Sequence, residues 1–359
     1  MLNLTQERVR SLHPESGEME KVLDSYKIDK LFHFTCVDNL ELIAKHGWIW
    51  SKKKLKEKGL LDEDKVIFCS NKVSHNLDDR HGNLDKVHLS FCYRHPMIYS
   101  IMTRKDQSRD PQSAHICYLV IKREVALWNG VVFTDTNATA NNNKRGEGLK
   151  GLKLLEKDFK LIREYLDGKR GYDEQLKKAI QAECLVPDEI PLEYIKSIVF
   201  ISKASKKEGE RLWESGKSQN PNYPQHQPEF KVNERYFYDL LRKYYNNLPF
   251  SLVDDFVLTP ENVNKEIVKS KKLSEFEDKR EFSKSLHSEI TLLVKLYAKS
   301  GSKARVEWRD ESETVEFDKE GRCWLWSKLD ISRLNEGDYS VEFYLDDVRW
   351  FKAPFKIKK

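Results

Sequence analysis

The sequence predicts an α+β domain built on a split, mainly antiparallel sheet, followed by a small C-terminal β-sandwich. Three observations lead there. Strand-like apolar runs and helical periodicities are intermixed through the first two thirds of the chain. A segment dense in Lys, Glu, Ser and Asp then interrupts them at 265–284. From about residue 284 the pattern changes to period-two alternation, as short half-buried strands give.

The elements follow in order. Residues 1–28 are polar with a helical pattern and read as an N-terminal helical arm. At Leu31 the chain turns strand-like. Asp38 then stands as an N-cap with Glu41 as its capping-box partner. Leu40, Ile43 and Ala44 supply one apolar stripe, and Gly47 ends the helix. His33 therefore lies at a strand end before a short helix. Further strands are expected at 66–70, 87–91, 116–121 and 131–134, a charged loop at 76–86, and helix over 149–166. Strands return at 180–186 and 195–201, and the unit spanning 29–245 closes beyond the aromatic run Arg235–Tyr238. Residues 246–283 read as a charged linker with a solvated helix, and 284–359 as a β-sandwich interaction domain. There Leu334–Tyr339 has the corner-plus-strand look of immunoglobulin-like domains, another antiparallel β module being the alternative.

Composition narrows the function. The chain has 359 residues, 39% hydrophobic and 34% charged, enough for about two domains. No window reaches the roughly 18 apolar residues of a membrane span, and Met1–Arg8 has no apolar signal core, so a cytoplasmic location is expected. Six cysteines, at 36, 69, 92, 117, 184 and 323, form no CxxC pair and read as buried small hydrophobes. A net charge of +5 permits nucleic-acid binding without establishing it. Neither a P-loop nor GxGxxG is present, so triphosphate hydrolysis and Rossmann-type hydride transfer lack support. His75, His81, His88 and His95 are spaced too loosely for zinc, and no metal is expected.

Four places could carry chemistry. Glu183 is a carboxylate in the apolar strand Gln181–Val186. A solvent-facing glutamate is the ordinary reading of such a residue. A cleft carboxylate that stabilises the positive charge developing on a ribose as its glycosidic bond breaks is the functional one. His33 reads either as a satisfied histidine or as a partner for a ribose hydroxyl, with Thr35 beside it. Arg80 is an ordinary loop charge or a cleft cation for a pyrophosphate. Phe91–Tyr99, dense in aromatic and basic residues, is a strand and turn or a stacking platform. The basic clusters Lys52–Lys54, Lys144-Arg145 and Lys169-Arg170 are most simply solvated faces.

Read together, these segments resemble a family. Phe32-His33-Phe34-Thr35 followed by Val37-Asp38-Asn39-Leu40 and Gly47 is similar to the opening motif of the DarT nucleic-acid ADP-ribosyltransferase toxins. Val87–Tyr99, Val132-Phe133-Thr134-Asp135, Gln181–Val186 and Arg235–Tyr238 resemble later segments of that family, in order, over roughly 29–240. The resemblance implies an ADP-ribosyltransferase fold that cleaves NAD and passes ADP-ribose to a base in a single strand, DNA being favoured and RNA the alternative. It implies Glu183 and Arg80 as catalytic residues, and His33, Thr35, Asn39 and Tyr99 as NAD-binding residues. Tyr93, Arg94, Lys144 and Arg145 would meet the nucleic acid. An antitoxin is the implied partner, with a chaperone or a phage trigger as further candidates for the C-terminal domain. A catalytically inert binding module is the reading from another class. Cys36 and Tyr93 depart from the family pattern, and 135–150 is an Asn/Gly/Lys-rich loop of the chain's own.

Overall fold

From Arg10 on, the N-terminal segment is docked on the first unit. In the computed structural model α1 (Ser16–Ser25) buries Met19 and Leu23 completely in the main core. The structure describes residues 10–61, 66–69, 72–103, 110–237, 250–309 and 311–359, with the backbone alone at 72–75 and 99. Residues 1–9 of the expected arm, and Tyr238 with the rest of 238–249, lie outside the described residues.

After α1 come β1 (Lys30–Cys36), α2 (Asn39–His46), β2 (Trp48–Trp50), α3 (Lys52–Glu57), α4 (Lys72–Arg80), β3 (Lys86–Ser90) and α5 (Pro96–Met102). Then follow β4 (Ile116–Lys122), β5 (Val132–Thr134), β6 (Arg145–Glu147), α6 (Gly148–Lys153), α7 (Glu156–Leu166) and α8 (Glu174–Ala179). The unit ends with β7 (Glu183–Pro187), β8 (Glu189–Pro191), β9 (Ile195–Phe200), α9 (Lys203–Ser218) and β10 (Glu229–Val232). Eight of these strands form one sheet in the order β10-β9-β4-β1-β3-β7-β5-β6, antiparallel except for β9 with β10. The sheet is nearly split in two. β1 runs with β4 along its whole length, but only Phe32 and Ser90 pair β1 with β3.

Local signals explain several elements. Gly47 ends α2 at φ 82°, and its N–H donates to Ile43 as a left-handed cap requires. Helix α9 lies flush on α2 because Gly216 faces it. A Cβ there would sit 2.0 Å from the Glu41 carbonyl oxygen.

Three local expectations need correction. Asp38 and Glu41 make no capping box: the Asp38 side chain caps nothing in α2, and Glu41 accepts from Ser215 and Gln219. Residues 66–69 pair in no ladder; the Asn39 side chain holds Ile67 instead. The charged stretch expected as a loop at 76–86 begins inside α4, so the polar run is a solvated helix end.

The expected linker is also different. Residues 252–259 form β11 (Leu252–Thr259), followed by α10 (Lys265–Ser270) and β12 (Glu281–Ser283). Asp254 and Asp255 hid that strand from the pattern, because the register shifts between Val253 and Asp255. The charged face of the segment is solvated, while Val263, Val268, Leu273 and Phe276 bury a small core against Val257 and Leu293. Then follow β13 (Glu289–Ala298), β14 (Lys303–Trp308), β15 (Glu311–Glu316), β16 (Gly321–Asp330), β17 (Gly337–Leu345) and β18 (Val348–Lys358). They make two sheets, β11-β13-β16 and β12-β18-β17-β14-β15. This unit shares one core with the first: Ile116, Tyr118 and Val199 cluster with Val253, Phe256 and Phe351.

Candidate active site

A cavity of about 270 Å³ opens where the β1–β3 ladder lapses. Its walls include His33, Phe34 and Thr35 of β1, Asn39 of α2, and His88 and Ser90 of β3. Glu183 closes it from the first position of β7, opposite Ser90 on one side and Thr134 on the other. With strands on both sides, the residue is fixed by backbone rather than by a loop.

Glu183 is only 7% exposed, which removes the solvent-facing reading. A buried carboxylate needs partners. One oxygen accepts from the backbone N–H of Ala138 at 3.3 Å, and the other meets Nδ1 of His88 at 2.7 Å. The far nitrogen of His88 lies 3.8 Å from an Asp78 oxygen, so this imidazole bridges two carboxylates. Burial acts to lower its pKa. The Glu183 charge and hydrogen bond, with Asp78 behind, outweigh that and raise it above 6.5. The ring is therefore held toward its charged form, Nδ1 donating to Glu183 and Nε2 facing the Asp78 charge.

His33 is the converse case. Its Nδ1 lies 2.9 Å from the His88 carbonyl oxygen, which can only accept. Nδ1 therefore carries the proton and leaves Nε2 as an acceptor. Burial lowers its pKa and keeps it neutral. Asn39 is fully committed. Its amide donates to Thr35 Oγ1 at 2.9 Å and to the Ile67 carbonyl at 2.8 Å, and its oxygen accepts from Ile67 N at 3.0 Å. It builds the cavity wall and aims Thr35.

The other expected residues disperse. Arg80 ends α4, exposed and away from the cavity lining. Tyr99 is on α5, and its side chain lies outside the described residues. Tyr93 is taken up in packing, stacked on Tyr236 with centroids 4.4 Å apart, and Arg94 lies over the Tyr93 and Tyr165 rings. Arg145 ties down the loop before it, donating to Asn83 and Asn143 at 3.0 Å and to the Ala138 carbonyl. That loop supplies the Ala138 N–H to Glu183. Lys144 beside it is exposed.

Sequence reasoning considered His88 only as a zinc ligand and passed over Asp78. Alternation could have flagged His88, since it shares a strand face with Ser90, which pairs with Glu183. Among the described residues no group of three His, Cys, Asp or Glu side chains is arranged to hold a metal, and no helix is long and apolar enough to cross a membrane.

Comparison with known proteins gives the wider setting. A relative from Thermosipho africanus (strain H17ap60334), a DNA ADP-ribosyl transferase-DNA ADP-ribosyl glycohydrolase fusion protein, is 24% identical over 177 residues, covering 47% of this chain and 42% of the relative. The chain thus spans less than half the length of that relative. Among solved structures, Thermus sp. 2.9 DarT in complex with ADP-ribosylated ssDNA aligns at TM-score 0.46 and 18% identity, over 64% of this chain and 100% of that one. The same protein in complex with NAD+ aligns at TM-score 0.44 and 20% identity, over 59% and 98%. The family model described as DarT, ssDNA thymidine ADP-ribosyltransferase, matches residues 32–238, more than half of the sequence, and the chain therefore belongs to the DarT family.

Proposed function

We propose that this chain transfers ADP-ribose from NAD to a thymine base of single-stranded DNA. The observation that carries the reading is Glu183, buried at the cavity and held by His88 and the Ala138 N–H. A carboxylate so fixed stabilises positive charge on the ribose without reorganising. As the bond from ribose C1′ to nicotinamide breaks, its electron pair leaves with nicotinamide. The ring nitrogen of thymine bonds C1′, and its proton passes to Glu183. The free Nε2 of His33 and the Thr35 hydroxyl suit ribose hydroxyls. His88 orients Glu183 through the hydrogen bond from Nδ1.

Outside the cavity, the exposed Arg80 and Lys144 suit DNA phosphates. We read the C-terminal unit as an immunoglobulin-like sandwich. Support comes from its β11-β13-β16 and β18-β17-β14 sheets and from Tyr339, whose hydroxyl donates to the Asn335 carbonyl at 2.9 Å near the start of β17, as in a tyrosine corner. The fused glycohydrolase named in the Thermosipho relative suggests, as the partner of this chain, an antitoxin that removes ADP-ribose.

The test is mass analysis of oligonucleotides incubated with NAD. A single ADP-ribosyl adduct on thymine-containing single-stranded DNA is expected, and none on DNA lacking thymine. An adduct confined to RNA, or none on any polymer, would overturn the reading.

A further inference from the structure

We propose that the C-terminal unit braces the NAD-binding wall of the catalytic unit from outside the cavity, with Arg349 acting as a positioning residue through Asp38. The inference rests on the reading that the cavity takes NAD. Asp38 is the carboxylate that fails to cap its own helix. Asp38 directs one oxygen at the Arg349 guanidinium and the other at Gln112 Nε2, 2.8 Å away. Gln112 in turn accepts from Arg349 N at 2.8 Å and donates to the Arg349 carbonyl at 2.8 Å. Asp38, Gln112 and Arg349 thus form a closed ring of hydrogen bonds that crosses from α2 to β18.

The next residue is Asn39, whose three hydrogen bonds set Thr35 and Ile67 in the cavity wall. The orientation of the first turn of α2 is therefore shared between Asn39 and the ring. A second tie reinforces it. Lys352 N donates to Glu208 at 3.1 Å; Glu208 is 3% exposed, sits in α9 and also binds Arg211. Because α9 packs flush on α2, the stretch 349–352 grips that helix from its N-terminus and from behind. Asp38 has only 16% of its side chain exposed, so loss of Arg349 would leave a largely buried charge short of its cation. Such a group moves or draws in water, and the start of α2 moves with it.

The test uses the full chain. Arg349→Met and Asp38→Asn are each expected to raise KM for NAD about tenfold while kcat stays within about twofold, as coupling through a packed network allows. The double variant is expected to be no worse than the poorer single one, because both changes act through one contact. Phe355→Leu, placed inside the sandwich, is the stability control and is expected to leave KM unchanged. Amide exchange at Ile67, which donates to Asn39, gives a readout independent of NAD and is expected to quicken in Arg349→Met. An unchanged Ile67 amide, or single effects that multiply in the double variant, would overturn the proposal. A wild-type protein that never uses NAD, with Ile67 exchange still altered in Arg349→Met, would instead sink the functional reading alone.

Discussion

Replacing His88 by leucine removes the donor that faces Glu183 at 2.7 Å and leaves a 7%-exposed carboxylate with only the longer bond from Ala138 N. A hydrogen bond involving a charged group contributes about 1.5–3 kcal/mol. At 1.36 kcal/mol per factor of ten, that corresponds to a loss of roughly 10- to 150-fold in kcat/KM. His88→Asn restores an amide N–H near the Nδ1 position and is expected to recover most of that loss. It cannot titrate, which separates orientation from charge. The raised pKa of His88 gives the sign of the pH effect. Its contribution to stability is full below the unfolded value of about 6.5 and is lost as pH rises through the higher folded value. Wild-type activity is accordingly expected to fall along an alkaline limb that His88→Asn flattens. The assay is steady-state transfer to a thymine-containing oligonucleotide from pH 5 to 10, roughly spanning the imidazole range. Equal kcat/KM in wild type and His88→Leu, with folding intact, would refute the reasoning.

Other consequences concern the frame around the site. Gly216→Ala would bring a methyl to 2.0 Å from the Glu41 carbonyl and force α9 off α2. A loss of about 1–3 kcal/mol in chemical unfolding is expected, and unchanged stability would mean that the helices do not pack as described. His115, 1% exposed, has its pKa pushed down to about 4 by burial despite the opposing charge of Asp38. The fold therefore favours neutral His115. Its contribution is full above the unfolded value of about 6.5 and is lost as pH falls toward 4, with roughly 3 kcal/mol at stake. His115→Gln should flatten this acid limb in equilibrium unfolding, and an unaltered limb would contradict the assignment.

What the sequence disclosed depended on how local the cause was. Gly47 was legible because a left-handed cap is a property of a few adjacent residues. Glu183 drew notice because a lone carboxylate in an apolar strand is unusual in itself. The role of His88 was not, since its partner lies 95 residues away and only strand pairing brings them together. Asp38 was misread for the same reason at a larger scale. A local capping rule competed with an arginine 311 residues downstream, and the tertiary contact won. Strand β11 was masked by two adjacent aspartates at its bulge, which broke the alternation that identified its neighbours. Tyr93 and Arg94 looked like a stacking platform because composition cannot distinguish an aromatic core from an aromatic surface.

The central claim is that a buried glutamate in the cavity beside the seam of a nearly split sheet drives cleavage of NAD toward a DNA base. Nicotinamide release in the presence of thymine-containing single-stranded DNA tests it most directly, with wild type and Glu183→Gln compared side by side. Release by the wild type that depends on the DNA and falls at least about a hundredfold in Glu183→Gln is the predicted result. Equal release by the two proteins, or wild-type release indifferent to the DNA, would contradict the account.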